Sequence, residues 1–509
     1  MLPLIELLDG ILPLPLGEGW GEGPSASDLS NGPHPNPLPE GEGIIITGLA
    51  VDSRKVEKGN LFFALKGEKA DGAQFIAKAK QSGAVAVLCD TNTELDESGL
   101  VVLRTDNPRL AMAKMAAKFY GKQPAHMVAV TGTDGKTSTA DFFRQFCHHM
   151  GKTSASIGTL GILSGNGEML FPSTLTTPDA IELHKILAEL KADYVCMEAS
   201  SGGLHQHRLD GVTLQAAAFT NLARDHLDYH KTEEAYFAAK LRLFDSLLPE
   251  GGTAVLNQDD ARFSQIKAVC EQRKHKIIGF GKNGEQFRIT QLQPLPHGQK
   301  VTLDVFGKSY TLEVPLVGAF QVMNILAALG LVVGTGLDMG KALKVIPKFS
   351  GVPGRLEQVV RLANGATVFI DYAHTPAALA NILRTLRPHT QNRLHVVFGC
   401  GGDRDKGKRP EMGRIADELA DVAIVTDDNP RSEDPASIRS AIMATTKHAK
   451  EVADRREAIY VALKNLAPGD VLVIAGKGHE KVQIIGDKTM PFNDAEVARE
   501  AAKELKLAA

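Results

Sequence analysis

The chain has 509 residues, with 57 Lys or Arg against 60 Asp or Glu, for a formal net charge of -3 at pH 7. A chain of this length exceeds a single ordinary hydrophobic core, so several domains are expected. The near balance of charges leaves no large positive excess for a nucleic-acid backbone or an anionic membrane surface. Small-molecule partners are therefore favoured, and no nucleic acid is expected.

The cysteines indicate the redox environment. They are odd in number, lie far apart and never occur in CxxC spacing, which argues against a disulfide framework or a zinc site. They are Cys89, Cys147, Cys196, Cys270 and Cys400. This pattern predicts a protein of the reducing cytoplasm.

The N-terminal residues give no sign of a targeting segment. They are rich in Leu and Pro, but Glu6 and Asp9 interrupt them and no basic residues precede them. No other stretch approaches the roughly 18 uncharged apolar residues of a membrane span. We expect neither a signal peptide nor membrane insertion.

The first predicted domain covers residues 1–123 and is a small α/β unit. Within it, residues 17–43 are dense in Gly, Pro, Glu, Ser and Asn, and the fragments LPLGEGWGEG and NPLPEGEG echo each other. Such a composition buries too little apolar surface to offset the entropy lost on ordering, so it predicts a disordered insertion. Beyond it follow β-branched runs, turns, a helical stretch and the predicted strand AVAVLCD.

Two further domains are predicted, at 124–350 and 351–509. Apolar strand-like runs such as MVAVTG, YVCMEAS and LHVVFGCGG alternate there with helical stretches, which is typical of a doubly wound parallel sheet. We therefore expect an α/β protein with a central P-loop-type parallel sheet and a Rossmann-like C-terminal domain. Ligands of such sheets bind beyond the carboxyl ends of the strands, where this chain carries Gly, Asp and Asn.

The segment AVTGTDGKTST has the features of a phosphate-binding loop, because it follows a predicted strand and opens a predicted helix. Gly132 and Gly135 let backbone N–H groups approach phosphate oxygens, Lys136 supplies a positive charge, and the Thr137 hydroxyl can coordinate magnesium. Val130 stands where the full P-loop pattern has its first glycine, so this is a variant. The segment predicts nucleotide binding without indicating the reaction.

The same loop resembles the phosphate loop of the Mur ligase family, which usually has Asn at the position of Asp134. Further resemblances to that family occur in order along nearly the whole chain, in the segments DSRKVEKGNLFFA, LTTPD, MEASSGGLHQHR, NLARDHLDYH, AAKLRLF, GAFQVMN, GVPGRLE, IDYAHTP, GGDRDKGKRP, DNPR and GKGHE. The resemblance implies a three-domain amide ligase that uses ATP and Mg2+. Its domains would bind UDP, ATP and an amino acid in that order.

The resemblance also implies residues for ATP and magnesium. The implied ATP-binding residues are Gly132, Thr133, Asp134, Gly135, Lys136, Thr137, Ser138, Asn324, Arg355 and Asp371. Catalytic roles are implied for Lys136, His226 and Lys240. The implied metal ligands are Thr137, Glu198, His226 and Lys240, the last as a carbamate formed with carbon dioxide. An ammonium group would repel Mg2+. Formation of the carbamate puts an anionic oxygen ligand in its place.

Other residues would contact the UDP-linked muramoyl peptide, a polar and anionic ligand suited to hydroxyl, amide and guanidinium groups. They are Ser53, Thr176, Thr177, Ser200, Gln206 and Arg208. The stretch Glu68-Lys69-Ala70 stands at the family's nucleotide-binding position but departs from the His-Gln pattern of some members. The neighbouring His205, His207 and His230 are interpreted as ordinary polar or packing residues.

The stretch DDNPRSEDP bears on the choice of amino acid. In the family, DNPR accompanies meso-diaminopimelate, whose distal carboxylate is held by the arginine, here Arg431. The full implied set is Arg404, Asp428, Asn429, Pro430, Arg431, Gly476 and Glu480. The resemblance thus implies a monomeric enzyme of peptidoglycan precursor synthesis that adds meso-diaminopimelate to UDP-N-acetylmuramoyl-L-alanyl-D-glutamate through an acyl phosphate.

Other functions stay open at this point. A lysine-adding homologue or a folylpolyglutamate synthase-like ligase would share the phosphate loop, but not DNPR with this C-terminal set. A small-molecule kinase would use ATP without any amine, and a non-catalytic nucleotide-binding regulator would not need all these motifs. Exclusion of water from an acyl phosphate also predicts closure of the last domain.

Overall fold

The computed structural model describes residues 1–12, 43–67, 70–94, 99–295 and 297–507. Apart from Gly43, the insertion predicted at 17–43 lies outside the described residues, and so do Glu68 and Lys69. In the part of the chain that is described, no helix has both the length and the apolar character needed to cross a bilayer.

The N-terminal unit is built on a parallel sheet of order β3-β4-β5-β6. Its elements are β1 (Leu2–Pro3), α1 (Leu4–Leu8), β2 (Ile45–Ile46), β3 (Gly48–Ala50), β4 (Asn60–Phe63), α2 (Ile76–Gln81), β5 (Ala86–Asp90), β6 (Val101–Thr105) and α3 (Pro108–Tyr120). Helix α3 begins where the Asn107 side chain accepts a hydrogen bond from the Leu110 backbone, and it ends at the left-handed Gly121.

The central unit carries a large mixed sheet of order β10-β9-β8-β11-β7-β12-β13-β14-β15-β16-β17. Its elements are β7 (His126–Thr131), α4 (Lys136–His149), β8 (Ser154–Gly158), β9 (Gly161–Ser164), β10 (Met169–Phe171), α5 (Ala180–Glu189), β11 (Tyr194–Glu198), α6 (Ser201–His205), β12 (Ala216–Phe219), α7 (Leu227–His230), α8 (Glu233–Arg242), β13 (Thr253–Asn257), α9 (Phe263–Gln272), β14 (Lys276–Gly281), β15 (Phe287–Leu295), β16 (Gly298–Val305), β17 (Lys308–Val314), α10 (Ala319–Gly334) and α11 (Met339–Val345).

The strands from β8 to β14 in this order pair in parallel and are covered on both faces. Along β7, Val128 and Val130 join one buried apolar cluster, whereas Met127 and Ala129 join the cluster on the opposite face. Helix α10 is apolar along most of its length because it packs between α4 and the sheet. This arrangement places the carboxyl ends of β7, β11 and β12 at one edge.

The C-terminal unit has a sheet of order β18-β19-β23-β20-β21-β22, parallel except for β18. Its elements are β18 (Glu357–Arg361), β19 (Thr367–Asp371), α12 (Pro376–Leu386), β20 (Leu394–Phe398), α13 (Lys408–Leu419), β21 (Val422–Val425), α14 (Pro435–Met443), β22 (Lys450–Glu451), α15 (Arg455–Lys464), β23 (Val471–Ala475), the hairpin β24 (Val482–Ile485) and β25 (Lys488–Pro491), and α16 (Asp494–Glu504).

Two polar contacts fix the passage from the central to the C-terminal unit. The Gln145 side chain donates to the Ser350 carbonyl at 3.1 Å and accepts from the Ser350 backbone N–H at 2.9 Å. Domain boundaries at 123/124 and 350/351 stay a prediction.

Candidate active site

The phosphate-binding loop, residues 132–135, connects β7 to α4. Gly132 and Gly135 adopt positive φ angles of 147° and 84°. A Cβ atom at these two positions would overlap the side-chain oxygens of Thr220 and Asn324, respectively. Glycine is therefore required at both positions, for backbone conformation and for space. Asn324, predicted to bind ATP, is buried against the loop, and that role stays a prediction.

Lys136 lies at the start of α4 and folds back over the loop. Its Nζ donates to the carbonyl oxygens of Gly132 and Thr133 at 2.9 and 2.7 Å. Burial lowers the pKa of Lys136, while the charge of Glu198 acts in the opposite direction. A partly buried cation beside backbone N–H groups at a helix start forms an anion-binding site.

Glu198, at the end of β11, joins this site from the neighbouring strand. Its carboxylate accepts a bond from Thr137 Oγ1 at 3.0 Å and from the Thr159 backbone N–H at 2.8 Å. Burial raises the pKa of Glu198, and the charge of Lys136 with these two hydrogen bonds opposes the rise. The predicted ligands Thr137 and Glu198 are thus in direct contact.

Lys240 lies on α8, where a lysine usually has a solvated side chain, yet this one is only 1% exposed. Its Nζ donates to the Gly132 carbonyl at 2.6 Å and lies 4.4 Å from the ring centroid of Tyr236. Burial, with a smaller contribution from the charge of Lys136, lowers the pKa of Lys240 to about 6. The structure therefore brings Lys240 to the phosphate-binding loop.

His226 occupies the rim of the same region. Its side chain is 59% exposed, its backbone is left-handed with a φ of 52°, and its Nε2 lies 3.5 Å from Asp225 Oδ2. Its ring centroid is 6.0 Å from that of Tyr236. Among the described residues, no group of three or more His, Cys, Asp or Glu side chains is arranged to hold a metal. The predicted ligand set includes only two such residues, so its role in metal binding stays a prediction.

Five of the residues predicted to bind the muramoyl peptide form one connected group. Thr176 Oγ1 lies 3.1 Å from Thr159 Oγ1, and Thr177 Oγ1 lies 2.9 Å from Ser200 Oγ. Arg208 donates to the Thr177 carbonyl and to Gln206 Oε1, both at 2.7 Å. These bonds hold the polar side chains beside Glu198 on one side of the phosphate-binding loop.

Ser53 belongs to the N-terminal unit and is buried in a short turn capped by Asp52. The histidines interpreted as ordinary residues have protein partners. His205 Nδ1 lies 2.9 Å from Tyr229 Oη, and His207 Nε2 lies 3.2 Å from Asn107 Nδ2. His230 is buried between aromatic rings, including that of Tyr236.

Arg355 and Asp371 lie at the start of the C-terminal unit. The Asp371 carboxylate accepts bonds from the backbone N–H groups of Leu356 and Ala373, both at 2.8 Å, and burial raises its pKa. The Arg355 guanidinium lies 5.1 Å from the ring centroid of Tyr372. Asp371 therefore fixes the chain that carries Arg355, and its predicted contact with ATP stays a prediction.

The predicted amino-acid-binding residues come from three segments, which we call the clamp: 401–404, 428–431 and 476–480. Asn429 Nδ2 donates to Glu480 Oε2 at 3.0 Å. Arg431, in a left-handed conformation, donates to the Gly402 carbonyl at 2.7 Å. A Cβ atom on Gly476 would approach Asp428 Oδ2 within 2.6 Å. Pro430 lies between these residues, and Arg404 is exposed at the rim.

Several residues of the site were not predicted from the sequence. Asn221 Oδ1 accepts from the Asp134 backbone N–H at 3.0 Å, and Thr220 Oγ1 donates to the Asp134 carbonyl at 2.6 Å. Tyr236 Oη lies 3.2 Å from Thr133 Oγ1. The helical spacing of Tyr236 and Lys240, four residues apart, was the signal that could have indicated the tyrosine.

Three segments of the chain match models of one protein family. The description "Mur ligase family, catalytic domain" matches residues 45–120, "Mur ligase middle domain" matches 130–332, and "Mur ligase, glutamate ligase domain" matches 354–478. The UDP-N-acetylmuramoyl-L-alanyl-D-glutamate--2,6-diaminopimelate ligase of Brucella melitensis is 49% identical over 477 residues, covering 92% of this chain and 97% of the relative. The chain belongs to the Mur ligase family.

Two further relatives agree with this assignment. The ligase of the same name from Rhizobium meliloti is 50% identical over 462 residues, covering 90% of this chain and 94% of the relative. A solved structure of a ligase of that name is 35% identical with a TM-score of 0.70, covering 91% of this chain and 95% of that one. The predicted family and α/β fold class, with its parallel central sheet, are confirmed.

Proposed function

We propose that this protein is an ATP-dependent ligase that joins meso-diaminopimelate to the D-glutamyl carboxylate of UDP-N-acetylmuramoyl-L-alanyl-D-glutamate. Relatives that match most of the chain are named as ligases of this peptide and 2,6-diaminopimelate. The observation that carries the proposal is the position of the segment around Arg355. Gln321 Nε2, on the helix that carries Asn324, donates to the Arg355 carbonyl at 3.3 Å. A Cβ atom on the adjacent Gly354 would stand 2.3 Å from the backbone nitrogen of His479 in the clamp. This segment therefore connects the central unit to the clamp.

In the proposed reaction, an oxygen of the D-glutamyl carboxylate attacks the γ-phosphorus of ATP, and ADP leaves. The neutral amine of diaminopimelate then attacks the carbonyl carbon of the acyl phosphate, loses a proton and expels inorganic phosphate. Backbone N–H groups of the loop and the ammonium of Lys136 would stabilise negative charge on the transferring phosphoryl group. For this, Lys136 would exchange the carbonyls of Gly132 and Thr133 for phosphate oxygens.

The oxygen-rich corner formed by Thr137 and Glu198 fits magnesium, which prefers oxygen ligands. Magnesium bound there would neutralise part of the charge on the ATP phosphates. That cation would favour the ionised form of the buried Glu198 carboxyl, whose pKa burial raises. His226 and a carbamate of Lys240 complete the proposed set. A pKa of about 6 supports carbamate formation, because the neutral amine is the form that adds carbon dioxide.

The clamp supports a diamino dicarboxylate as the second substrate. Arg431 would hold the distal carboxylate with its planar guanidinium, and Glu480 would accept the distal ammonium. We expect Arg431→Gln to raise the KM for meso-diaminopimelate about 10- to 100-fold while kcat changes little, because a charge-assisted bond is lost in substrate binding. Steady-state kinetics would measure this. Arg414→Gln, in an exposed ion pair on α13, is the matched control, and equal effects of both variants would contradict the assignment.

The function itself is tested by phosphate release from ATP with the UDP-linked dipeptide and either meso-diaminopimelate, L-lysine or no amine. Phosphate release and tripeptide formation with meso-diaminopimelate alone are expected. A preference for L-lysine would indicate the lysine-adding homologue. Amine-independent formation of ADP would indicate a kinase or hydrolase and would overturn the proposal.

We further propose that the chain works as a monomer on small molecules in the cytoplasm. All five cysteines lie in the described part of the chain, where they are buried and form no disulfide, which supports a reducing compartment. Sedimentation velocity across a range of protein concentrations tests the monomer, which predicts a single species whose sedimentation coefficient does not rise with concentration.

A further inference from the structure

Lys477 lies in the clamp between Gly476 and Gly478, and its side chain is fully buried. A buried ammonium needs partners that replace its lost hydration. Its Nζ donates to Asn429 Oδ1 at 3.0 Å and to Glu480 Oε2 at 3.1 Å. Lys477 therefore connects the two clamp segments 428–431 and 476–480, which are far apart in sequence.

These bonds fix the orientation of the Asn429 side chain. Asn429 Oδ1 accepts from Lys477 Nζ and also from the Ile484 backbone N–H at 3.0 Å. With both donors on the oxygen, the amide Nδ2 must point the other way, where it donates to Glu480 Oε2. The hairpin β24–β25 also contacts segment 428–431, because Gln483 Nε2 donates to the Asp428 carbonyl at 2.7 Å.

The same bonds leave the two oxygens of Glu480 in different situations. Oε2 accepts from both Lys477 and Asn429, whereas Oε1 receives no hydrogen bond from any residue in the described part of the chain. The Glu480 side chain is 31% exposed. One oxygen of this partly exposed carboxylate is thus held by two donors, and the other is left to accept a hydrogen bond from a ligand.

We propose that Lys477 is a positioning residue for the incoming amino acid. Its buried ammonium holds Asn429 and Glu480 in register, so that Glu480 Oε1 presents an acceptor to the distal ammonium of a diamino acid. This inference rests on the proposed function. Lys477 would not touch the substrate and would act through Asn429 and Glu480.

Steady-state kinetics of Lys477→Met, with each of the three substrates varied in turn, tests the proposal. We expect the KM for meso-diaminopimelate to rise about 10- to 100-fold, because the acceptor loses its fixed position. The KM values for ATP and the UDP-linked dipeptide should stay unchanged, and kcat at saturating diaminopimelate should change less than about threefold. The exposed Lys481, four residues further on, gives the control Lys481→Met, which should match the wild type.

A double-mutant cycle separates positioning from a merely structural role. If Lys477 acts through Glu480, Lys477→Met should add little to the KM increase already caused by Glu480→Gln. Independent, additive effects of the two substitutions would overturn the proposal, as would a folded Lys477→Met enzyme with wild-type KM for diaminopimelate. Lys477→Gln keeps a hydrogen-bond donor and should give a smaller rise in the KM for diaminopimelate. This variant tests the proposal if Lys477→Met does not fold.

Phosphate release by the wild-type enzyme distinguishes failure of the proposed function from failure of the positioning role. If it shows no diaminopimelate-dependent phosphate release, the proposed function is wrong. If it shows that release and the Lys477 variants retain its KM, only the positioning role is wrong.

Discussion

The surroundings of the phosphate-binding loop, here called the phosphate side, contain the partly buried Lys136 and the buried Lys240. The C-terminal unit contains the buried cations Lys477 and Arg455, and the partners of these side chains differ between the two regions. Lys477 and Arg455 of the C-terminal unit each lie within 3.1 Å of a carboxylate, that of Glu480 and that of Asp494. By contrast, Lys136 and Lys240 donate to backbone carbonyls, and among the described residues neither forms an ion pair with a carboxylate. Burial lowers the pKa of both lysines.

This difference corresponds to the charge of the expected ligands. Lys136, which donates only to backbone carbonyls, can exchange these for the phosphate oxygens of a polyanion such as ATP. In the clamp, Lys477 is already paired with Glu480. The groups left there for an amino acid that brings both signs of charge are Glu480 Oε1 and the guanidinium of Arg431.

The largest effect is expected from Lys136→Met, which removes the cation from the phosphate side alone. We expect kcat to fall about 10³-fold, since a preorganised charge that stabilises the transferring phosphoryl group is lost. The KM for diaminopimelate should stay unchanged, which separates the two regions. ADP formation measures the loss, and Lys152→Met, an exposed lysine after α4, is the control. A fall smaller than tenfold would contradict the role of Lys136.

A smaller effect, on stability, is expected from Asp494→Asn beneath the clamp. The Asp494 carboxylate accepts two bonds of 2.8 Å from Arg455, and both side chains are fully buried. Loss of the carboxylate charge leaves the buried guanidinium with only the more distant Asp428 carboxylate, at 4.0 Å, so the free energy of unfolding should fall by about 3 kcal/mol. Arg455 also donates to the Ala475 carbonyl, next to Gly476, so the KM for diaminopimelate should rise as well.

Urea unfolding measures the stability change. The control is Glu500→Gln, which breaks the exposed Arg456–Glu500 pair between the same two helices and should cost less than about 0.5 kcal/mol. Equal losses from the two variants would show that burial does not set the strength of the Arg455 pair.

The sequence predicted the phosphate side more completely than the clamp, for a physical reason. The loop is a local feature, since strand, glycines, Lys136 and helix start follow one another within a few residues. The predicted α/β class rests on a pattern that is equally local, the alternation of apolar runs with helical stretches. The partners of the loop that escaped prediction, such as Asn221 and Tyr236, come from other elements of the sheet.

In the clamp, the sequence indicated which segments meet but not how they are held. The bond from Lys477 to Asn429 joins positions 48 residues apart, and that from Gln483 to Asp428 joins positions 55 apart. Nothing in GKGHE alone shows that its lysine is buried rather than solvated. Burial of Lys240 was equally beyond the sequence, because a lysine on a helix is usually exposed.

The smallest effect on stability is expected from Lys240→Met, and it has the opposite sign to that of Asp494→Asn. The pKa of Lys240 is about 6 in the folded protein against an ordinary value of 10.5, so the unfolded state binds more protons between these pH values. The stability of the wild type should therefore rise with pH across this window, and burial of the lysine costs most below pH 6. In carbon dioxide-free buffer at pH 7, Lys240→Met should stabilise the fold by about 1 to 2 kcal/mol while activity is lost.

Thermal or urea unfolding at several pH values would measure this gain, which should shrink as the pH approaches 10. Lys267→Met, at an exposed lysine on α9, should show no such pH dependence. A destabilised Lys240→Met protein would mean that the bond to the Gly132 carbonyl outweighs the cost of burying the amine. The expected outcome, a more stable but inactive protein, would show that the buried amine of Lys240 serves function at the expense of stability.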